Sequence, residues 1–312
     1  TGAYDPETDT LYWTTGNPAP DWNGDARMGD NLFSNSLIAL NPDTGERLWH
    51  FQFTPHDVWD YDGNSHIFLV DITYQGRAVK AVVQANRNGF FYILDRSNGE
   101  FLSASSYLEQ VNWASIDDKG RPEVDAAAYP TEEPSHRVCP GNIGGTNGAW
   151  SGAYSPDLKT VFVSSVEACQ LFQKGISVYI EGNSFMGGAP QPSDTVSGRA
   201  YGNLSAIDVQ TGAVKWRYRD DQPMMAGTLS TAGGVVFSGN LNGYALALDA
   251  ADGKLLWKFK MGGGVRSQPI AYEIDGTAYV AIGSGSWASF ETFTGGPANI
   301  PEGGHLFVFA IP

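Results

Sequence analysis

Three segments of this chain repeat one pattern: ALNPDTGERLW from Ala39 to Trp49, AIDVQTGAVKW from Ala206 to Trp216, and ALDAADGKLLW from Ala247 to Trp257. A degenerate copy, ILDRSNGEFL, runs from Ile93 to Leu102. Each reads as a strand ending in Ala-apolar-Asp (Asn in the first copy), a turn closed by Gly, and a second strand opening toward Trp. The Gly supplies the positive φ that a tight hairpin turn needs. Gly212 and Gly253 lie 41 residues apart, near the length of one four-stranded propeller blade. The segments GTLSTAGGVVFSGNLNGYALAL and RSQPIAYEIDGTAYVAIGSG read as short alternating strands with Gly-rich turns. A Trp at a fixed turn offset, burying ~150–250 Å², would wedge neighbouring blades together. An ordinary aromatic core without radial symmetry is the alternative. The period and its recurrence favour an all-β propeller with four to five blades countable here; propellers commonly have about four to eight.

Composition agrees with many short strands: 38 Gly, 17 Pro and 9 Trp accompany only 17% charged residues. Acids outnumber Lys plus Arg by 34 to 19, a net charge of −15. That sign excludes the basic patches a nucleic-acid binder needs, and it disfavours an anionic membrane surface. No apolar run approaches the ~18–20 residues that span a bilayer. A soluble, acidic protein is expected. The opening TGAYDPETDTLYW shows no signal peptide and reads as a strand already under way, so truncation at the start is expected; an irregular first strand is the alternative. The stretch of roughly residues 102–202 breaks the rhythm with Pro, Gly and both cysteines, as an insertion that carries function or caps a site does.

Two segments concentrate polar residues. In TTGNPAPDW, Asn17 precedes Pro18, which pushes its backbone toward an extended conformation. Its amide can then be aimed at a ligand, or it is simply a turn-forming Asn. In FTPHDVWDYDGN, Asp57, Asp60 and Asp62 lie within six residues. On an extended strand or wide turn, Asp60 and Asp62 point the same way. Converging carboxylates need a cation or a proton between them, and a hard ion such as calcium or a larger trivalent ion suits oxygen donors better than zinc does. One acid could double as a general base. A solvated acidic loop is the competing reading. Arg87, in a Gly-containing turn, suits an anionic ligand or an ordinary surface ion pair. Cys139 and Cys169 fit no CxxC, haem or zinc spacing. A disulfide tying down the long loop is favoured over a catalytic thiol, and it implies an oxidising compartment.

Taken together, TGNPAPDW (Thr15–Trp22), TPHDVWDYDGN (Thr54–Asn64), ANRNGFFYILDR (Ala85–Arg96) and the Trp repeats resemble the quinoprotein alcohol dehydrogenases, the methanol/ethanol family that uses pyrroloquinoline quinone (PQQ) in an eight-bladed propeller. The resemblance runs from Thr1 to Pro312 and implies a single partial propeller domain, the C-terminal half of the ring. It makes Asn17, Asp60 and Asp62 metal ligands and Asp60 the catalytic base. An Asp at position 62 is the pattern of lanthanide-dependent members, whereas calcium-dependent methanol dehydrogenases carry a small residue there. Arg87, Asn147 and Trp287 fall at cofactor-contacting positions, and Trp22 and Trp287 at walls of the substrate cavity. Cys139 and Cys169 match a family disulfide. The implied reaction oxidises a primary alcohol to an aldehyde by metal-assisted hydride transfer to PQQ, with cytochrome c as electron acceptor, in the periplasm. A homodimer is left open.

The departures are specific. The family's glutamate metal ligand, adjacent-cysteine ring and several PQQ partners have no counterpart here, so little activity is expected of these 312 residues alone. Met225 stands where many relatives carry Trp, and no CxxCH is present. Two other readings stay open: a non-catalytic propeller scaffold, as in outer-membrane assembly propellers with similar repeats, and a calcium-dependent PQQ enzyme for larger alcohols or polyols.

Overall fold

The computed structural model describes residues 2–188, 191–195, 197–286 and 303–311. Among them the chain divides into two compact units: residues 1–148, 168–193 and 210–212, and residues 149–167, 194–209 and 213–312.

The first unit holds two antiparallel four-stranded sheets, each in simple chain order. One is β1 (Gly2–Asp5), β2 (Thr10–Thr14), β3 (Ser36–Leu40) and β4 (Arg47–Gln52). The other is β5 (Ile67–Tyr74), β6 (Arg77–Ala85), β7 (Phe90–Asp95) and β8 (Phe101–Ser106). A short hairpin of β9 (Ala114–Ile116) and β10 (Pro122–Val124) follows. The second unit repeats the arrangement. It contains β11 (Ala153–Ser155), β12 (Thr160–Glu167), β13 (Tyr201–Asp208) and β14 (Val214–Asp220) in one sheet. The next sheet holds β15 (Leu229–Ser230), β16 (Val235–Gly239), β17 (Tyr244–Asp249) and β18 (Leu255–Lys260). A three-stranded sheet of β19 (Ile270–Ile274), β20 (Thr277–Ser286) and β21 (Gly303–Ile311) completes it.

The repeat is the third-to-fourth-strand hairpin of each sheet. Its Ala lies directly opposite its Trp: Ala39 pairs with Trp49, Ala206 with Trp216, and Ala247 with Trp257. A small residue facing a large ring is a cross-strand fit, and a bulge follows the Ala in every copy. The turn Asp or Asn accepts the N–H two residues on, as Asn41, Asp95 and Asp249 do. The closing Gly has a second role beyond its positive φ. A Cβ on Gly99 would meet the Trp49 ring at 2.6 Å, and one on Gly253 would meet Trp216 at 2.5 Å. The tryptophan of one sheet thus seats on the turn glycine of the next.

The stretch read as an insertion is less irregular than its composition implies. It contains β9, β10, and the β11–β12 pair that opens a sheet. Cys139 and Cys169 are bonded to each other. Their neighbours Val138 and Gln170 exchange both backbone hydrogen bonds at 2.9 Å, so the bond pins two loop arms that already pair. Trp287 lies outside the described residues.

Candidate active site

The site is built in the first unit on three segments. The first carries Asn17 between β2 and β3, the second Asp57 to Asn64 between β4 and β5, the third Asn86 to Gly89 between β6 and β7.

The acidic segment is not a strand. His56, Asp60 and Asp62 all have positive φ, 48°, 62° and 25°, a conformation Asp tolerates better than bulkier residues do. Asp57 holds it there. Its carboxylate is buried and accepts the N–H groups of Trp59 and Tyr61 and the Asn35 side-chain amide, each at 2.8 Å. Trp59 and Tyr61 bury against Trp113, with Trp59 Nε1 donating to the Ala128 carbonyl and the Tyr61 hydroxyl to that of Pro140. Residues 57, 59 and 61 therefore face the core and 60 and 62 face out of it. The shared direction expected for Asp60 and Asp62 is reached through a clamped coil rather than a pleat. Gly63 lets this segment press on the first: its N–H donates to Thr15 O at 3.0 Å, and a Cβ there would come within 2.7 Å of that oxygen.

Arg87 is nearly buried, on a turn in which Gly89 N–H donates to Asn86 O. Around it Asn86 donates to Gln84, and Asn88 to Phe53 O, Thr54 and Tyr92, while Trp113 Nε1 donates to Asn88 O. That network aims the guanidinium. Its Nη1 donates to Asp62 Oδ2 at 2.9 Å, its Nη2 lies 3.3 Å from Asp60 Oδ2, and Nη2 also donates to the Asn142 carbonyl. The other Asp62 oxygen accepts the Asn17 backbone N–H at 3.1 Å. Asn17, Asp60, Asp62 and Arg87 thus meet at one place. Asn147 follows Gly145 and Thr146, which dock that loop against the Arg87 backbone and the Tyr107 hydroxyl. Trp22 is buried, its N–H donating to Met186 O, and its Nε1 has no hydrogen-bond partner among the described residues. Met225 is buried in the second unit.

Burial pushes the Asp60 carboxyl up to about 7 although Arg87 pulls it down; Asp62, Asp57 and Asp21 add to the rise. Burial likewise raises Asp57 to about 6 against its three donors. A cation placed between the Asp60 and Asp62 carboxylates would relieve the cost at Asp60. The two carboxylates offer hard oxygens that fit a hard cation, and the Asn17 backbone N–H brings that residue beside them. Among the described residues no three acid, His or Cys side chains are grouped closely enough to hold one by themselves.

Comparison with known proteins agrees with this chemistry. The family model described as "Glucose/ethanol/alcohol dehydrogenase, beta-propeller domain" matches residues 1–105, which contain all three site segments. The quinoprotein alcohol dehydrogenase PedH of Pseudomonas putida is 38% identical over 329 residues, covering 100% of this chain and 54% of the relative. This chain belongs to the quinoprotein alcohol dehydrogenase family. The lanthanide-dependent methanol dehydrogenase of Methylorubrum extorquens is 35% identical over 344 residues, covering 99% of this chain and 56% of that one. A solved europium-containing methanol dehydrogenase superposes with a TM-score of 0.87 at 29% identity, covering 100% of this chain and 58% of that one. A second model, "Outer membrane protein assembly factor BamB", matches residues 197–297. The chain spans about half the length of the curated quinoprotein relatives it matches. The fold is all-β, its four-stranded sheets being blades of a quinoprotein β-propeller.

The quinoprotein motifs assign no role to three residues of the site. Asp57 was one acid among three, and nothing in its neighbours told a buried clamp from an exposed carboxylate. Arg27 donates to the Pro20 and Asp57 carbonyls at 3.0 and 2.6 Å, tying the two ligand-bearing segments together. Half-buried Asp21 adds its negative charge to the rise at Asp60. Its only signal was an acid four residues after Asn17.

Proposed function

We propose that this chain carries the alcohol-oxidising site of a PQQ-dependent dehydrogenase. The observation that supports it best is the meeting of Asp60 and Asp62 on one nearly buried arginine, with Asn17 joined to Asp62. A solvated acidic loop has no use for an arrangement that burial makes costly.

Asn17, Asp60 and Asp62 would hold the cation by their oxygens, and Arg87 and Asn147 would contact the quinone. When bound, the cation and PQQ together supply the electrophilic two-electron acceptor for an alcohol. Asp60 takes the hydroxyl proton of the substrate on a carboxylate oxygen, and its raised pKa suits a base working near neutral pH. Arg87 directs two N–H donors to the same spot and stabilises negative charge there. Trp22 forms an apolar wall, and Trp287 is assigned the same role from the sequence alone. The extra carboxylate of Asp62 favours a lanthanide, with calcium as the alternative, because a trivalent ion repays the crowding of acids.

The substrate is a small primary alcohol, oxidised to an aldehyde. Cytochrome c is the electron acceptor, supported by the similarity to a relative named methanol dehydrogenase [cytochrome c] subunit 1, 35% identical over 91% of this chain. The Cys139–Cys169 bond supports a periplasmic setting. The test is dye-linked ethanol oxidation by the gene product at its full encoded length, loaded with PQQ and either La³⁺ or Ca²⁺. Turnover lost in Asp60→Asn with both metals supports the reading; an active Asp60→Asn enzyme removes it.

A further inference from the structure

Arg87 has one neighbour that none of the roles above uses. Its Nη2 donates to the backbone carbonyl of Asn142, on the loop of residues 139–145. Asp60 faces the same Nη2 as an ion pair at 3.3 Å, while Asp62 takes Nη1 at 2.9 Å. We propose that this loop aims the Arg87 guanidinium at the site, and that Gln170, which holds Asn142, is its positioning residue. The functional consequence, contact of a correctly aimed guanidinium with the quinone, rests on the alcohol-oxidising reading above.

A backbone carbonyl suits this task because it accepts without adding charge. Asp60 and Asp62 sit on one segment and by themselves leave the planar fork free to pivot; an acceptor from another segment fixes it. The carbonyl serves only if its loop is rigid, and the loop is fastened on two sides. One side is the arm of residues 168–170. Gly141 N–H donates to Ala168 O at 2.7 Å, and Val138 and Gln170 exchange backbone bonds at 2.9 Å. Asn142 N–H donates to the Gln170 side-chain oxygen at 3.3 Å. Gln170 is itself buried, and its Nε2 reaches Gln191 O at 3.4 Å. A Cβ at Gly141 would lie 2.8 Å from the Gln170 Cβ, and one at Gly144 2.7 Å from Ala168 O, so glycine is what lets the loop seat this closely. The other side is the site. Tyr61, in the acidic segment, donates its hydroxyl to Pro140 O at 2.7 Å. A Cβ on Gly145 would meet Arg87 O at 2.5 Å, so the loop presses on the backbone of the residue whose side chain it holds.

The two supports of Arg87 divide the work. The Asn86–Gly89 turn sets where the side chain leaves the backbone, and Asn142 sets where its tip arrives. Among the fastenings of the loop to the 168–170 arm, the backbone pairs and glycine contacts fix the path of the chain. The Gln170 oxygen instead holds Asn142 itself, the residue whose carbonyl meets the guanidinium. Gln170 touches neither acid nor arginine in this arrangement and acts through Asn142.

The experiment is phenylglyoxal modification of the full-length gene product without quinone or metal, each arginine being followed by mass spectrometry. Gln170→Met keeps the length and loses the acceptor, whereas Gln170→Glu keeps both. Gln170→Met is expected to speed modification of Arg87 by about fivefold or more, because the guanidinium opens to solvent more often. Gln170→Glu should hold it within about twofold of the parent. Arg96 is the internal control: it is likewise nearly buried, on Asp5 of the same unit, and should keep its parent rate in both variants. Faster modification of Arg87 and Arg96 together would make Gln170 a support of the whole unit and overturn the positioning role. Parent-like protection of Arg87 in Gln170→Met overturns it as well. A PQQ titration of the metal-loaded proteins, followed by quenching of tryptophan fluorescence, reads the consequence. Its Kd should rise about tenfold in Gln170→Met and stay within about threefold of the parent in Gln170→Glu. A parent that protects Arg87 but binds no PQQ overturns the alcohol-oxidising reading and leaves the aiming of Arg87 standing. Unchanged PQQ affinity in a Gln170→Met that exposes Arg87 overturns the link between that aim and cofactor contact.

Discussion

Arg87 and Asp62 meet at 2.9 Å, Nη1 to Oδ2, while the second Asp62 oxygen holds the Asn17 backbone N–H at 3.1 Å. One carboxylate thus joins the three segments that make the site, and one guanidinium is the counter-charge for two acids. Arg87→Ala would leave Asp60 and Asp62 facing each other with no cation. Breaking a buried pair from one side costs ~3–5 kcal/mol. The Asp60 and Asp62 side chains keep 20% and 15% of their exposure, so the lower end, about 3 kcal/mol, is expected. Urea unfolding of the metal-free chain measures it. Added La³⁺ should recover more stability in the variant than in the parent, because it supplies the missing charge; equal recovery would mean that the ion does not bind between these acids.

Asp57 gives the second prediction. Its carboxylate satisfies three donors at 2.8 Å in a fully buried place and sets the left-handed residues at 60 and 62. Asp57→Ala strands those donors, at about 1–3 kcal/mol for the first and less for the others as the loop relaxes. A total loss of about 3 kcal/mol is expected, together with loss of Tb³⁺ binding, although Asp57 itself is not assigned as a ligand. Normal Tb³⁺ affinity in a destabilised Asp57→Ala would show that the loop geometry survives without its clamp.

Much of this fold was legible from residues alone because the repeat encodes contacts that are local. Ala opposite Trp, an Asp or Asn that starts the turn and a Gly that closes it are all set within one hairpin. The packing of Trp49 on Gly99 was hidden, since the Gly was needed for its φ in any case. The β11–β12 pair was hidden by the Pro- and Gly-rich stretch around it. In the site, residue types named the chemistry, and long-range contacts decided the geometry. Asp57 and Asp60 are alike in a sequence; 22 residues separate Asp57 from the Asn35 amide that makes it a clamp. Asp21 gained its place through Arg27 and Met186, neither of which has a motif.

The seat of the tryptophan can be separated from backbone strain. Gly99 and Gly76 share nearly the same φ, 78° and 77°. A Cβ at Gly99 meets the Trp49 ring, whereas one at Gly76 meets nothing within 4 Å. Gly76→Ala should therefore cost only the left-handed strain, ~1–2 kcal/mol. Gly99→Ala adds overpacking of a further ~1–3 kcal/mol. Thermal unfolding of the two variants side by side measures the difference. Equal midpoints would mean that the ring gives way and that the Trp–Gly contact contributes little.

The raised pKa of Asp60 fixes the sign of a pH effect on the metal-free chain. Its folded value, about 7, lies above the ordinary 3.8. Below 3.8 the carboxyl is protonated in both states and its stabilising contribution is fully present. Between 3.8 and about 7 the unfolded chain ionises first, so that contribution falls as pH rises, and above about 7 its loss is complete. Other groups titrate in the same range, which makes the parent profile alone uninformative. Asp60→Asn cannot ionise, so the comparison isolates Asp60. The stability of Asp60→Asn relative to the parent should grow between pH 4 and pH 8 by on the order of 3 kcal/mol. A hard cation at pH 8 should close part of that gap by stabilising the ionised parent more than the variant. Parallel pH profiles for the two proteins would place the Asp60 carboxylate in ordinary solvent and remove the electrostatic basis for its role as the base.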